Sequence, residues 1–494
     1  MKKKIKEKNK IDLKYILKLV TIIFLSSSPF FDTIFFHNRI TTLCRIFVIT
    51  MILITTLFLY KDSRKHFKYL LIYYALCTIY LFLNYYHSKN FNSLFPNNFN
   101  YSFIKEFYTI LKLMMPITLI YSLYYQKLDK KDYNIIFSSW TLIITLIIII
   151  SDIFLIGYSS YSSEIIKYNI FNWKKEVYYA YTACKGYFVY ANQVALTLLL
   201  LLIYNVYNLL KTRKSIIFIT LISLSMIILG TRVSYLGGLL TLSCLFLSFM
   251  FFVFIKKEKF TKNILYILPI VLLWILILPY TPYANRNVEL NKYKTTENNN
   301  DFVINNENYN EEDLTKKEYI EKNINEELIP KSFYKSYYSY EYDPDFWINL
   351  INNTDESKIN YRFVEESIVK RIIQINNNKY DFLLGISNTR IQNVVNLEKD
   401  FLLAYYAFGV IGLMILLFIY FSMIIICFYN FFKYFNYLTF INLVITILFC
   451  FCAYLTGNII NSISMMIVYS TFCGFSFKYD KTNFTNSKFM VLYR

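Results

Sequence analysis

The residues best placed to do chemistry are a few charged side chains set against long apolar runs. Arg232 stands alone in Ile228-Leu-Gly-Thr-Arg-Val-Ser-Tyr-Leu-Gly-Gly-Leu-Leu240, between one apolar run ending at Gly230 and another beginning at Val233. Arginine grips phosphate bidentately, and at the start of a helix it would share an anion with free N–H groups and the helix dipole. An interfacial anchor that only fixes helix depth reads equally well from residue type. Glu398 and Asp400 stand where the chain re-enters an apolar run containing Gly409 and Gly412. Partial desolvation raises a carboxylate toward the working range of a general base. The plainer reading is a solvated helix start, where acids suit the dipole, with glycines that let helices pack closely. Arg45, Lys105, Glu106, Lys112 and Asp152 fall inside apolar runs, where charge is costly and usually functional. Singly, each reads as a snorkelling or paired group. Together with Lys185, Arg286, Arg362 and Arg390 they gather toward one side of the membrane. That bias suggests a cationic cavity opening on that side, suited to a phosphate-bearing lipid head group; a transporter's midplane site would lie deeper.

The elements that must position these groups are membrane helices. The chain has 494 residues, 56% hydrophobic, with a formal charge of +19. Repeated apolar runs, rather than one core, place it among polytopic membrane proteins. Its cations sit mostly in short segments between those runs, as the positive-inside rule requires, so the charge is not a nucleic-acid signal. Seven of the eight cysteines lie in apolar segments and only Cys184 in a loop, so neither a disulfide framework nor a metal-type spacing is visible.

Windows near 20 residues give about twelve spans: Tyr15–Phe36, Ile40–Tyr60, Phe67–Tyr86, Phe103–Tyr125, Tyr133–Gly157, Phe188–Leu210, Ser215–Gly230, Val233–Ile255, Asn263–Tyr280, Phe401–Tyr429, Tyr437–Thr456 and Ile460–Phe477. With the N-terminus inside, the short cationic links at Lys61–Lys68, Lys127–Lys131, Lys211–Lys214, Lys256–Lys262 and Lys433 all fall on the cytoplasmic side, as do both termini. The expected organisation is therefore an all-α protein with spans one to nine in residues 1–280, a large extracytoplasmic loop over 281–400, spans ten to twelve in 401–477 and a cytoplasmic tail over 478–494. The loop is far too long for an ordinary connection, so it should be functional or a small domain. Its first half is acidic and Asn-rich, with a weak helical stretch at Glu311–Leu328. Tyr361, Val364, Ile368, Ile372 and Ile375 recur at helical spacing, which predicts an amphipathic helix over Asn360–Ile375, lying either on the membrane surface or against the loop's own core. Asp343-Pro-Asp345 has the look of a metal-binding acidic pair, but in an acidic loop chance explains it better.

Four stretches carry a family resemblance: Gly230-Thr-Arg-Val-Ser-Tyr-Leu-Gly-Gly238, Lys185-Gly-Tyr-Phe-Val-Tyr-Ala-Asn-Gln193, Tyr361-Arg-Phe363 through Leu384-Gly385, and Glu398 to Gly412. In their order and topology they resemble the O-antigen ligase and polymerase-like family of bacterial membrane glycosyltransferases. The resemblance implies a GT-C-like membrane fold and an enzyme of the inverting type acting at the outer face of the cytoplasmic membrane, without metal or cofactor. A polyprenyl-diphosphate-linked glycan would be the donor, and a glycan or lipid hydroxyl the acceptor. It gives Arg232 a diphosphate role, with Arg362 as a second candidate; the bias of charge described above adds Lys185 and Arg45 to the diphosphate candidates, and the re-entry carboxylates Glu398 and Asp400 are the candidates for catalysis. The family's histidine at the re-entry position is Glu398 here, counted back from Gly409, and His37, His66 and His87 offer no replacement in the loop. Two other readings stay open: a flippase or transporter of lipid-linked oligosaccharide, and a non-catalytic membrane scaffold.

Overall fold

The computed structural model describes residues 12–94, 100–175, 177–289, 315–326, 329–353 and 361–482. The basic N-terminal run, most of the acidic stretch after Glu289 and the end of the tail lie outside them. Helix α1 (Leu13–Ser27) starts at Asp12, whose carboxylate accepts the Lys14 N–H. Pro29 has no N–H to continue the helical ladder, and the chain leaves through a tight 3-10 turn at Ser28–Asp32. Asn38 and Thr41 then exchange side-chain and backbone hydrogen bonds as a capping box that starts α2 (Arg39–Leu59). Helices α3 (Lys61–His87), α4 (Phe103–Gln126) and α5 (Lys130–Ile153) follow. A two-stranded antiparallel ribbon, β1 (Tyr158–Ser159) with β2 (Cys184–Gly186), leads into α6 (Ala191–Leu209). Helix α6 is buried almost along its whole length, as a helix apolar on every side must be. Helices α7 (Ser215–Leu229) and α8 (Arg232–Lys256) pack on it, and α9 (Ile267–Ile277) packs on α8.

The long connection after Thr281 is a small helical domain in its described part: α10 (Lys316–Asn323), α11 (Pro344–Asn353), α12 (Tyr361–Asn376), α13 (Asp381–Leu384) and α14 (Asn388–Val394). Ile320, Phe333, Tyr338 and Trp347 are buried in it, and the Trp347 indole donates to the Tyr338 carbonyl at 2.9 Å. Val364, Ile368 and Ile372 of α12 are buried within the chain, so of the two expected roles for that face the structure takes the packed one. Asp343 accepts two hydrogen bonds from Arg371, at 2.7 and 3.0 Å, and one from the Tyr338 hydroxyl. The Asp343-Pro-Asp345 pattern is thus a brace.

The chain returns through α15 (Asp400–Leu416) and α16 (Phe418–Tyr434), which meet at a 48° bend, and ends in α17 (Tyr437–Leu455) and α18 (Ile463–Thr482). The sequence reads this tenth segment as one continuous span; it is a bent pair, with a further break at Gly409, whose φ is 63° and ψ −174°. The break frees carbonyls of α15, and Ile386 and Ser387 donate to those of Tyr406 and Ala407 at 2.9 and 3.0 Å. A broken membrane helix is tolerated where neighbouring backbone satisfies the freed groups in this way. Gly412 does provide the expected close packing: the Tyr80 ring fills the space a side chain would take, and its hydroxyl donates to Phe408 and Leu384. Nine helical segments among the described residues are long and apolar enough to cross a membrane, ten with the bent pair. Helix α7 and the apolar part of α18 (Ile463–Ser476) are shorter than that.

Candidate functional site

The link between α17 and α18, residues 455–464, organises the polar groups. It is a sharp break between two apolar helices, so its backbone groups need partners outside a helical ladder. Asp400 does most of this. Its carboxylate is 2% exposed and accepts the N–H groups of Asn458, Ile459 and Ile460 at 3.0, 2.7 and 2.8 Å. Gln193, near the start of α6, donates to the Asn458 carbonyl at 2.6 Å and accepts from Ser462. Lys112, well inside α4, donates to the Asn461 carbonyl at 3.2 Å. Arg45, 5% exposed, donates to Ser464 at 2.7 Å and to Asp32 at 2.8 Å, while Ser464 donates to the same Asp32 oxygen. A buried guanidinium so deep in α2 is tolerable only because Asp32 neutralises it.

Arg45, Lys112, Gln193, Asn458 and Ser462, with His37, wall a cavity of about 200 Å3. Two cations line it: Asp32 and Ser464 hold Arg45, and the Asn461 carbonyl holds Lys112. Among the described residues the buried Nε of Arg45 has no hydrogen-bond partner. A cavity with preset cations and amide donors suits an anion with several oxygens, above all a phosphate.

The link's opposite side carries a second group. Glu398 accepts from Arg362 Nε at 2.8 Å and Nη2 at 2.7 Å, and Arg362 Nη1 reaches the Leu455 carbonyl at 3.2 Å. Gly457 lies so close to the Glu398 backbone that no side chain fits there. Behind them Glu365 is buried, and burial, then the Glu398 charge, push its carboxyl up to about 7.

Arg232 is the first residue of α8, with Thr231 capping the helix, and its side chain is exposed. Beside it the Tyr161 hydroxyl donates to the Gly230 carbonyl and accepts from Arg286 at 2.9 Å, and the Arg286 guanidinium lies 4.5 Å from the Tyr161 ring centre. Burial pushes the Tyr161 phenol up to about 12, and Arg286 and Arg232 oppose that rise. Lys185 lies on β2, and burial lowers its amine from the usual range. Neither Arg232 nor Lys185 lines the cavity. Of the six residues singled out in the sequence, Arg45, Arg362, Glu398 and Asp400 converge on the link, and the other two stand in and beside the ribbon that precedes α6. Glu106 and Arg390 tie elements together: Glu106 accepts from Thr389, and Arg390 donates to the Ser88 carbonyl at 2.8 Å. Among the described residues no group of three His, Cys, Asp or Glu side chains is arranged to hold a metal ion.

Sequence reasoning missed Asp32, Gln193, Ser464 and the link itself. Asp32 could have been found as an acid ending an apolar run, and the link as the polar string Thr456-Gly-Asn-Ile-Ile-Asn-Ser-Ile-Ser464 between two of them.

The helices and the walled cationic cavity define a multi-pass, all-α membrane protein with a buried polar site under a helical cap. Residues 13–474 match the model of the family described as O-antigen ligase like membrane protein, and the chain belongs to that family. A comparison with curated proteins gave no match. Membership makes it a glycosyltransferase-type membrane enzyme of polysaccharide biosynthesis, with a lipid-linked glycan donor and an acceptor in the membrane.

Proposed function

We propose that the chain transfers a glycan from a polyprenyl-diphosphate-linked donor to an acceptor hydroxyl, with inversion and without a metal ion, at the outer face of the cytoplasmic membrane. The cavity walled by Arg45 and Lys112 carries this reading. As the bond from the anomeric carbon to the phosphate oxygen breaks, negative charge grows on the leaving diphosphate. Fixed cations already in place stabilise that charge without reorganisation. Arg45 and Lys112 hold the diphosphate. Arg362, Arg232 and Lys185 meet it, or the glycan's charged substituents, on the way in. Glu398 orients Arg362. Asp400 positions the link by holding three of its N–H groups, so its role in catalysis is indirect. The basic short links keep both termini cytoplasmic.

The test is transfer in detergent with EDTA present, using the lipid-linked glycan pool extracted from the source cells. Release of polyprenyl diphosphate together with a new glycosidic bond is expected, and loss of both in Arg45→Ala. A detergent-solubilised wild type that forms no glycosidic bond from that pool would end the reading and favour a transporter.

A further inference from the structure

Glycosyl transfer to a hydroxyl needs an acceptor for the proton, and the re-entry carboxylate is poorly placed for it. Glu398 is engaged by Arg362 and does not line the cavity. The cavity wall itself holds two cations, Arg45 and Lys112, two phenols, Tyr108 and Tyr190, and one imidazole, His37. Of these side-chain types only an imidazole ordinarily changes charge near neutrality. Resting on the glycan-transfer reading above, we propose that His37 is the general base that takes the acceptor's proton.

The backbone around His37 is held from several sides. Its N–H donates to the Thr33 carbonyl at 2.9 Å, Ile34 donates to Tyr187, and Val189 donates to Asp32. The capping box at Asn38 fixes the residue that follows. The ring stands edge-on to Tyr190, with centroids 5.5 Å apart. Among the described residues neither ring nitrogen has a hydrogen-bond partner, so one is open to an acceptor hydroxyl. Partial burial, and then the Arg45 charge, lower the imidazole from its usual range against an opposing pull from Asp32. That lowering favours the neutral ring, the form a base needs. The other ionisable groups lining the cavity with it are Lys112, Tyr108 and the adjacent Tyr190.

The step balances without a further reactant. The acceptor oxygen bonds to the anomeric carbon, its proton passes to the free nitrogen of His37, and the carbon–oxygen bond to phosphate breaks with its electron pair leaving on the diphosphate. The imidazolium then loses the proton to water, which restores the base.

The test uses the full-length chain in detergent, with sugar-free polyprenyl diphosphate as binding probe and the extracted lipid-linked pool as substrate. His37→Ala is expected to cut kcat by about 10²–10⁴-fold, the usual weight of a general base, while Kd for polyprenyl diphosphate stays within about twofold. Added imidazole should restore part of the rate in His37→Ala. In the wild type kcat should rise with pH through a limb below the usual imidazole value, and His37→Gln should lack that limb while melting like the wild type. Wild-type kcat in His37→Ala, with Arg45→Ala inactive, would overturn the role of His37 and leave the transfer reading intact. Loss of polyprenyl diphosphate binding in both His37→Ala and His37→Gln would also overturn it, making His37 a binding group. Absence of transfer by the wild type itself would overturn both.

Discussion

Asp343–Arg371 and Glu398–Arg362 are the same chemical pair in two settings. Asp343 is 3% exposed and its partner 34%; Glu398 is 47% exposed and its partner 41%. Asp343 uses both oxygens on Arg371, adds the Tyr338 hydroxyl, and accepts the Phe346 N–H at the start of α11. Burial pushes its carboxyl up, but the bonds from Arg371 and Tyr338 outweigh that and hold it below the usual carboxylate range. Glu398 meets Arg362 through one oxygen, and part of the guanidinium is spent on the Leu455 carbonyl instead. The first pair has its carboxylate buried, and every bond in it serves the cap domain. The second is open to water and touches the link that shapes the cavity. Burial, more than the identity of the charges, separates a structural brace from a contact open to solvent.

Removing buried acids should produce the largest effects. Asp400→Ala leaves three buried N–H groups without an acceptor, at about 1–3 kcal/mol each. Loss of about 4 kcal/mol and of measurable transfer is expected, read by thermal melting in detergent and by the transfer assay; Asp400→Asn, which keeps one acceptor oxygen, should lie between. Asp343→Ala strands Arg371 in a partly buried site and should cost about 3 kcal/mol. It should expose residues 315–376 to protease, while the binding of polyprenyl diphosphate survives in the part of the population that stays folded. If the brace proved as inert as a surface pair, the contrast drawn here would collapse.

Glu365 gives a smaller, pH-dependent effect. Its folded pKa, about 7, lies above the ordinary value of 4.5, so the protonated form favours the fold. Stability from this residue is full below about pH 4.5 and declines as pH rises toward 7. Glu365→Gln should therefore melt about 2 °C above the wild type at pH 8 and together with it at pH 4.5. The smallest change belongs to the open pair: Glu398→Gln should alter stability by less than about 1 kcal/mol. It should also lower kcat by only a few fold, since the carboxylate orients Arg362 instead of taking the proton.

The membrane helices were legible because a long apolar run has few alternatives in lipid. Each of the twelve segments read from the sequence contains a helix, and nine or ten among the described residues are long and apolar enough to cross a membrane. The amphipathic helix at Tyr361–Asn376 and the position of Arg232 at a helix start were legible for similar reasons: spacing and caps are local. What was not legible depends on contacts between distant parts of the chain. Gly409 reads as a packing glycine, and the N–H groups of Ile386 and Ser387, with the Tyr80 hydroxyl, make a break there tolerable. Asp400 reads as a rim acid, yet it is buried under a link nearly 60 residues later. Arg45 reads as one intramembrane charge among several. Its importance comes from Asp32 and Ser464, which no spacing rule connects to it.

The most direct measurement is a structure of the full-length chain in nanodiscs with polyprenyl diphosphate bound. The phosphates are predicted to lie within hydrogen-bonding reach of Arg45 and Lys112, beneath the link at Asn458–Ser462. Phosphates held by Arg232 and Arg286 at the start of α8, with the Arg45 cavity empty, would contradict the account.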